Sequence, residues 1–312
     1  MPVLSTVKKI PGGIMVVPLF LGVLVNTFVP GVIDIGGFTT GLWRTGAASI
    51  LGLFLFCCGS QISLKQAGQP VKVGVVLTLS KFALGAVMGI IFNSIWGPMG
   101  ILGLTPLAVI AALTNSNGGL YSALAGQYGS NEDVGAVSVL AINDGPFLTM
   151  IAFGLTGMAD VPLLALVAVV LPILIGLILG NLDPEIREFL KPGTVIAIPF
   201  FAFPLGAALS LSQVVAAGLP GILLGLICVG ITGFGGYYCM KLIRHPNPQV
   251  GGAVGTTAGN AVATPAALAM ADPSIYELAA SATAQVAAAV IVTAILCPML
   301  VNFLDKRERA KK

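Results

Sequence analysis

Long apolar runs dominate the chain, and short charged, glycine-rich or proline-rich breaks separate them. A helix needs about 20 predominantly apolar residues to cross the hydrocarbon core of a bilayer. Ten runs fit this requirement, and they lie near 12–30, 41–63, 72–95, 99–127, 132–158, 161–181, 193–213, 217–243, 249–272 and 274–303. The pattern therefore predicts an all-α membrane protein with ten transmembrane helices.

The composition agrees with this prediction and leaves no room for a soluble domain. Of the 312 residues, 56% are hydrophobic and 9% are charged, whereas roughly a quarter are charged in soluble domains. The five cysteines lie in apolar stretches without metal-ligand or disulfide spacing, so we expect neither a metal nor a cofactor. The net charge of +3 is not clustered, so we expect no nucleic-acid partner.

The distribution of Lys and Arg predicts the orientation in the membrane. Ten spans place both termini on one side, and thirteen of the fifteen cations fall on that side. Only Arg44 falls on the opposite side, and Lys81 lies within the third span. By the positive-inside rule, both termini are cytoplasmic.

The two halves of the chain resemble each other. A shift of 147 residues matches Phe54, Phe56, Gly59, Ser63 and Leu64 with Phe201, Phe203, Gly206, Ser210 and Leu211. Pro18, Gly22 and Asn26 of the first span recur as Pro172, Gly176 and Asn181 of the sixth. Because five spans is an odd number, the second half enters from the opposite side, which predicts inverted repeats at 1–158 and 159–312. A chance similarity within a plain helical bundle is the alternative.

Two spans contain polar interruptions at matching positions of the repeats. The fourth span has six polar or glycine residues at 114–119, and the ninth has glycines, Thr256, Thr257, Asn260, Thr264 and Pro265. Non-helical backbone survives at membrane depth only when it is buried in protein or lines a wet cavity. The resumed half-helices, expected near 118–127 and 265–272, would aim their positive ends at one point, where an anion is favoured.

These interruptions predict a substrate site for a small anion. Its candidate residues are Asn115, Ser116, Asn117, Gly118, Gly119, Tyr121, Thr256, Thr257, Asn260 and Thr264. The alternative is that small and polar residues at these positions only pack helices together.

Asp144 is the one acidic residue deep within a predicted span, and it follows Asn143. An ionisable group at this depth is a functional hypothesis by default, so we predict that Asp144, with Asn143 beside it, carries a coupling proton. The alternatives are that Asp144 is a structural, hydrogen-bonded residue or that it is the partner of Lys81. For Lys81 itself, a side chain that reaches the membrane interface is the favoured interpretation.

Three further motifs are Lys8-Lys9-Ile10-Pro11-Gly12-Gly13-Ile14-Met15, then Asn117-Gly118-Gly119-Leu120-Tyr121 followed by Gln127-Tyr128-Gly129, and Gly180-Asn181-Leu182-Asp183. With these motifs the chain resembles, over nearly its whole length, the 2-keto-3-deoxygluconate permease family. The resemblance implies uptake of this sugar acid by proton symport across the bacterial inner membrane.

The same resemblance implies a fold related to that of the bile acid and sodium symporters. Spans 3–5 and 8–10 would form a core domain with two crossing discontinuous helices, and spans 1–2 and 6–7 would form a panel domain. The chain departs from the family pattern before Gly145-Pro146, where Asn143 occupies the acidic position and the acid is displaced to Asp144.

We therefore expect an alternating-access importer whose partners are a small anionic sugar acid, protons and the lipid bilayer. The pattern specifies no oligomeric state. Sodium coupling is the nearest alternative, because carbonyls at broken helices also suit Na⁺, and a channel is a further one. An intramembrane enzyme is disfavoured, because the single histidine, His245, lies in a predicted loop and one deep acid cannot form an aspartyl dyad.

Overall fold

The chain folds as a set of helices with no strand among the described residues. The computed structural model describes residues 2–9, 13–62, 68–143, 146–156 and 163–310. The helices of the first half are α1 (Val3–Lys9), α2 (Gly13–Phe28), α3 (Gly37–Trp43), α4 (Ala47–Gln61), α5 (Gln69–Trp96), α6 (Pro106–Leu113), α7 (Gly118–Tyr128), α8 (Asn131–Gly135), α9 (Val137–Leu140) and α10 (Pro146–Thr156). Those of the second half are α11 (Leu163–Leu182), α12 (Pro184–Leu190), α13 (Gly193–Ala207), α14 (Leu211–Ala216), α15 (Gly218–Cys228), α16 (Phe234–Leu242), α17 (Thr264–Ala271) and α18 (Tyr276–Arg309).

Four helical stretches are long and apolar enough to cross a membrane: Pro70–Trp96, Pro184–Ala207, Gly218–Leu242 and Pro273–Arg309. The number rises to seven when each of three strongly bent helix pairs is counted as one span. The predicted fourth, sixth and ninth spans fall outside this count, and the fourth and ninth are interrupted. The total of ten crossings stays a prediction.

The fourth predicted segment is interrupted where its polar residues lie. Helix α6 begins at Pro106, where the Thr105 side chain accepts a hydrogen bond from the Ala108 N–H, and it ends at Leu113. Residues 114–117 are not helical, and α7 begins at Gly118. We call residues 114–117 the first break.

The ninth predicted segment is also interrupted, and a 3₁₀ turn precedes the restart of its α-helix. A 3₁₀ helix runs over Pro248–Val254, residues 255–258 are not helical, and a second 3₁₀ helix, Gly259–Ala263, leads directly into α17. The α-helix restarts at Thr264, beside Pro265 as the sequence predicts, whereas the 3₁₀ turn before it was not expected. Proline suits the first turn of an α-helix, yet here a 3₁₀ turn precedes that α-helical turn. We call residues 255–258 the second break.

Two helix crossings are built in the same way, and each pairs a helix of the first half with a helix of the second half. Helix α2 packs on α13, and α11 packs on α4. A β-carbon added at Gly22 in α2 would overlap the Phe203 carbonyl oxygen, and one added at Gly176 in α11 would overlap the Phe56 carbonyl oxygen. The glycines therefore let the two backbones of each pair touch.

The end of the first crossing is held by an arginine and an asparagine. The Arg44 Nη1 donates to Asn26 Oδ1 at 2.8 Å and to the Ala207 carbonyl at 2.7 Å. Asn26 Nδ2 in turn donates to the Leu209 carbonyl at 3.0 Å. These bonds satisfy carbonyls at the C-terminal end of α13, which have no partner within the helix.

The second crossing ends in the same way. Arg187 Nη2 donates to Asn181 Oδ1 at 3.1 Å, and its Nε donates to the Ser60 carbonyl at 3.3 Å. Asn181 Nδ2 donates to the Ile62 carbonyl at 2.8 Å, at the end of α4. The sequence match between Asn26 and Asn181 thus corresponds to equivalent hydrogen bonds.

Adding one methyl group at either crossing should destabilise the fold. We expect Gly22→Ala and Gly176→Ala each to lower the free energy of unfolding by about 1–3 kcal/mol, because the new β-carbon meets main-chain atoms that cannot move aside. Gly52→Ala, where a β-carbon meets nothing within 4 Å, is the matched control and should keep or slightly raise stability, because alanine favours a helix over glycine. The thermal midpoint in detergent measures the effect, and an unchanged midpoint for both crossing variants would contradict the packing.

Candidate functional site

The two breaks touch each other inside the protein. The Asn117 N–H, at the end of the first break, donates to Thr256 Oγ1 in the second break at 3.0 Å. Asn115, Ser116 and Thr257 are also buried here. This contact gives one N–H group of the interrupted backbone a partner inside the protein.

A cavity of about 420 Å³ lies beside this contact. It has Asn117, Gly118 and Gly119 on one wall and Ala258, Gly259 and Asn260 on another. The remaining lining comes from α1, α2, α4 and α13, and comprises Lys8, Gly13, Ile14, Met15, Phe54, Cys58, Thr194, Val195 and Ile198. We call this space the first cavity.

The first cavity receives the N-terminal ends of two helical segments. One is α7, which starts at Gly118, and the other is the 3₁₀ segment that starts at Gly259 and continues into α17. N-terminal N–H groups and the aligned peptide dipoles favour a negative group. The lining adds Lys8 and no acidic side chain within the part of the chain that the structure describes. The site is therefore electrostatically suited to a carboxylate.

Asn117 is the N-cap residue of α7. Its Oδ1 accepts the Leu120 N–H at 2.9 Å, the arrangement of an N-cap. Because Asn117 is only half-buried and lines the first cavity, the same residue fixes the start of α7 and faces the space.

Asn260 faces the first cavity with unused hydrogen-bonding capacity. It is 6% exposed, and its Oδ1 has no hydrogen-bond partner among the described residues. Asn143 Nδ2 and Thr264 Oγ1, both fully buried, also lack partners among those residues. Buried polar atoms are normally satisfied, so these three positions indicate where a polar ligand or water contributes hydrogen bonds.

The other predicted site residues lie around the breaks rather than in the lining of the first cavity. Ser116 Oγ donates to Asn143 Oδ1 at 2.9 Å, which connects the first break to the segment before α10. Thr257 Oγ1 donates to the Ala112 carbonyl at 3.3 Å. Tyr121 is fully buried, and its hydroxyl donates to the Asp133 carbonyl at 3.0 Å.

Three further points concern predicted residues. Thr264 opens α17 five residues after the helical backbone resumes, and it does not line the first cavity. Asp144 lies outside the described residues.

The expectation that Lys81 reaches the membrane interface is wrong, because its side chain is fully buried and its Nζ contacts the second break.

Sequence reasoning did not single out several residues of the lining. Thr194, Val195 and Ile198 look like ordinary residues of an apolar helix, and only the three-dimensional packing brings them to the breaks. Phe54 had appeared only in the repeat match, and Met15 only in the same motif as Lys8. Lys8 had a signal, since it belongs to a motif that resembles a family pattern.

The class of protein follows from the fold. The structure of the sodium proton antiporter MjNhaP1 from Methanocaldococcus jannaschii at pH 8 matches with a TM-score of 0.62 over 94% of this chain and 91% of the antiporter chain. The two sequences are 14% identical, so the likeness concerns the fold alone. The chain thus has a helical fold shared with this antiporter, and four of its helical stretches are long and apolar enough to cross a membrane.

The family follows from the sequence. The sequence model of the 2-keto-3-deoxygluconate permease family matches residues 4–310. 2-Keto-3-deoxygluconate permease 1 of Salmonella typhimurium is 48% identical over 308 residues, which cover 99% of this chain and 97% of that protein. The 2-keto-3-deoxygluconate permease of Bacillus subtilis is 40% identical over 317 residues, which cover 100% of this chain and 96% of that protein.

This chain therefore belongs to the 2-keto-3-deoxygluconate permease family, and the resemblance seen in its motifs is confirmed. The family and these relatives are permeases, not enzymes.

Proposed function

We propose that the protein imports 2-keto-3-deoxygluconate or a similar sugar acid by proton symport with alternating access. The observation that carries this proposal is the convergence of two helical N-termini, at Gly118 and Gly259, on the first cavity. The names of the relatives supply the substrate class. The volume of about 420 Å³ falls within the range of roughly 300–1,000 Å³ that small-molecule sites have.

In this proposal the substrate carboxylate lies between residues 117–119 and residues 258–260. Asn117 and Asn260 add amide hydrogen bonds to the hydroxyl groups, and the unpartnered Asn260 Oδ1 supports such a role. Thr256 accepts the Asn117 N–H and so positions Asn117. The buried Asn115, Ser116, Thr257 and Thr264 support the two breaks from the protein interior.

The proposed architecture consists of two inverted five-helix repeats, 1–158 and 159–312. The matching crossings of α2 with α13 and of α11 with α4 support it, because each half contributes one partner to each crossing. These four helices would form the panel. The helices that carry the breaks, together with α5, α8–α10, α15, α16 and α18, would form the core.

A second cavity supports alternating access. It has about 580 Å³ and lies between α4 and α13 on one side and α17 and α18 on the other. Leu51 of α4 lines the second cavity, while Phe54 lines the first. Three residues span about 4.5 Å along a helix, so the barrier between the two cavities is about one helical turn thick at α4.

Phe54 supplies the bulk of this barrier from the proposed panel. It is 2% exposed, and its ring packs edge-to-face on Phe201 of α13 with the ring centroids 5.4 Å apart. Lys8, one of the cations that the positive-inside rule assigns to the cytoplasm, lines the first cavity together with Thr194. In this proposal the first cavity therefore opens towards the cytoplasm.

Proton coupling is assigned in this proposal to Asp144, with Asn143 beside it in sequence. Asn143 is fully buried and bonded to Ser116 of the first break, which supports a coupling position next to the substrate site.

Replacing Asn117 should weaken substrate binding without lowering the stability of the fold. Asn117→Asp keeps an N-cap acceptor of equal quality but adds a negative charge where a carboxylate binds. We expect an unchanged thermal midpoint and at least a tenfold weaker affinity for 2-keto-3-deoxygluconate, measured by calorimetry in detergent. Thr105→Ala removes the N-cap of α6, away from the first cavity, and should cost about 0.5–2 kcal/mol of stability without changing affinity. Wild-type affinity in Asn117→Asp would refute the proposed anion position.

Transport in proteoliposomes tests the function and the coupling together. We expect labelled 2-keto-3-deoxygluconate to accumulate under an inward-directed proton gradient in sodium-free medium, and gluconate to compete better than glucose, which lacks the carboxylate. Asp144→Asn should abolish accumulation and retain exchange of labelled for unlabelled substrate. Glu188→Gln, at an exposed surface ion pair, should behave like the wild type. Accumulation that requires sodium, or that persists in Asp144→Asn, would contradict proton symport through Asp144.

A further inference from the structure

Lys81 lies near the middle of a helix long enough to cross the membrane. It comes twelve residues after the start of α5, about 18 Å along the helix axis. Its side chain is fully buried. A cation at this depth is costly and marks a functional element by default.

The Lys81 ammonium group sits in a cage of oxygen atoms. Its Nζ lies 3.0 Å from Thr232 Oγ1, 2.8 Å from the Val254 carbonyl and 2.6 Å from the Thr256 carbonyl, with Cys228 Sγ farther away at 3.5 Å. Three oxygens match the three N–H donors of an ammonium group. Within the described ranges no carboxylate forms an ion pair with Lys81, and its hydrogen-bond partners there are neutral groups.

The cage exists because two helices depart from regular α-geometry. Val254 ends the 3₁₀ segment and Thr256 belongs to the second break, so their carbonyls are not engaged by a continuing helix. Thr232 lies in a five-residue π-helical turn, Val229–Gly233, a feature frequent at functional sites. Unwound carbonyls at helix breaks in transporters coordinate Na⁺. The oxygens around Lys81 are therefore of the kind that binds a free cation.

The cage is connected directly to the proposed substrate site. Thr256 accepts from Lys81 through its carbonyl and from the Asn117 N–H through its hydroxyl. Asn117 caps α7 and lines the first cavity. The ammonium group thus fixes the residue that holds the two breaks together.

We infer that the Lys81 ammonium is a tethered substitute for a free coupling cation, and that it occupies a sodium-type site which opens when the side chain is removed. The consequence for substrate binding, which rests on the proposed function, is that the wild type binds its sugar acid without sodium. Lys81 is accordingly a positioning residue and not a substrate ligand.

Thermal stability of Lys81→Ala in detergent tests the site without reference to any substrate. We expect NaCl, LiCl or methylammonium chloride to raise the thermal midpoint of Lys81→Ala by several degrees relative to choline chloride, because a ligand that binds only the folded state stabilises it. The wild type, and Lys72→Ala with its exposed lysine on the same helix, should not respond. A folded Lys81→Ala with no cation-dependent shift would overturn the inference, and so would an equal sodium shift in the wild type.

Substrate binding provides the second measurement. Lys81→Ala should bind 2-keto-3-deoxygluconate at least tenfold more weakly in choline medium and regain affinity in sodium. If Lys81→Ala does not fold, Lys81→Gln keeps side-chain N–H donors without the charge, and it should fold but bind at least tenfold more weakly than the wild type. Wild-type affinity in Lys81→Gln would overturn the inference. If the wild type binds no sugar acid, the proposed function fails, while the thermal shift of Lys81→Ala still decides the cation site.

Discussion

The structure depends on how two interruptions of helical backbone obtain hydrogen-bond partners inside a membrane protein. An unsatisfied backbone group in hydrocarbon costs several kcal/mol, so neither break is stable alone. The Asn117 N–H of the first break donates to the Thr256 hydroxyl of the second, and Lys81 of α5 donates to the carbonyls of Thr256 and of Val254, which precedes the second break. The two breaks are thus bonded to each other and to α5, and they border the cavity that the helical N-termini face.

The glycine crossings show a different physical solution to packing in a membrane. Lipid tails are as apolar as leucine, so helices associate through close contact rather than through exclusion of water. Gly22 and Gly176 permit contact at the level of the main chain, and Arg44 and Arg187 close the ends of the crossings with carbonyl bonds. The four helices involved are thereby tied to one another more tightly than to the helices that carry the breaks.

The sequence predicted the elements whose signal is local. A run of polar residues at 114–119 marked the first break, and Asn117, Gly118, Gly119 and Asn260 do line the first cavity. The restart of the second α-helix was predicted to within one residue, because Pro265 is a local helix signal, whereas the preceding 3₁₀ turn has no such signal and was missed. The positions of Lys81 and Phe54 depend on residues more than a hundred positions away. Hydropathy cannot distinguish a lysine that reaches the interface from one that enters an oxygen cage.

The spacing of Leu51 and Phe54 along α4 has a consequence for leakage. A wall between the two cavities that is one layer of side chains deep has no second layer behind it. Replacing one of its side chains by a smaller one therefore connects the two cavities. In the proposed alternating-access cycle, such a wall would need little displacement to be re-formed on the other face of the solute, because the layers that would separate and the layers that would meet are neighbours. The proposed cycle would therefore combine a sensitive seal with a short movement of the helices.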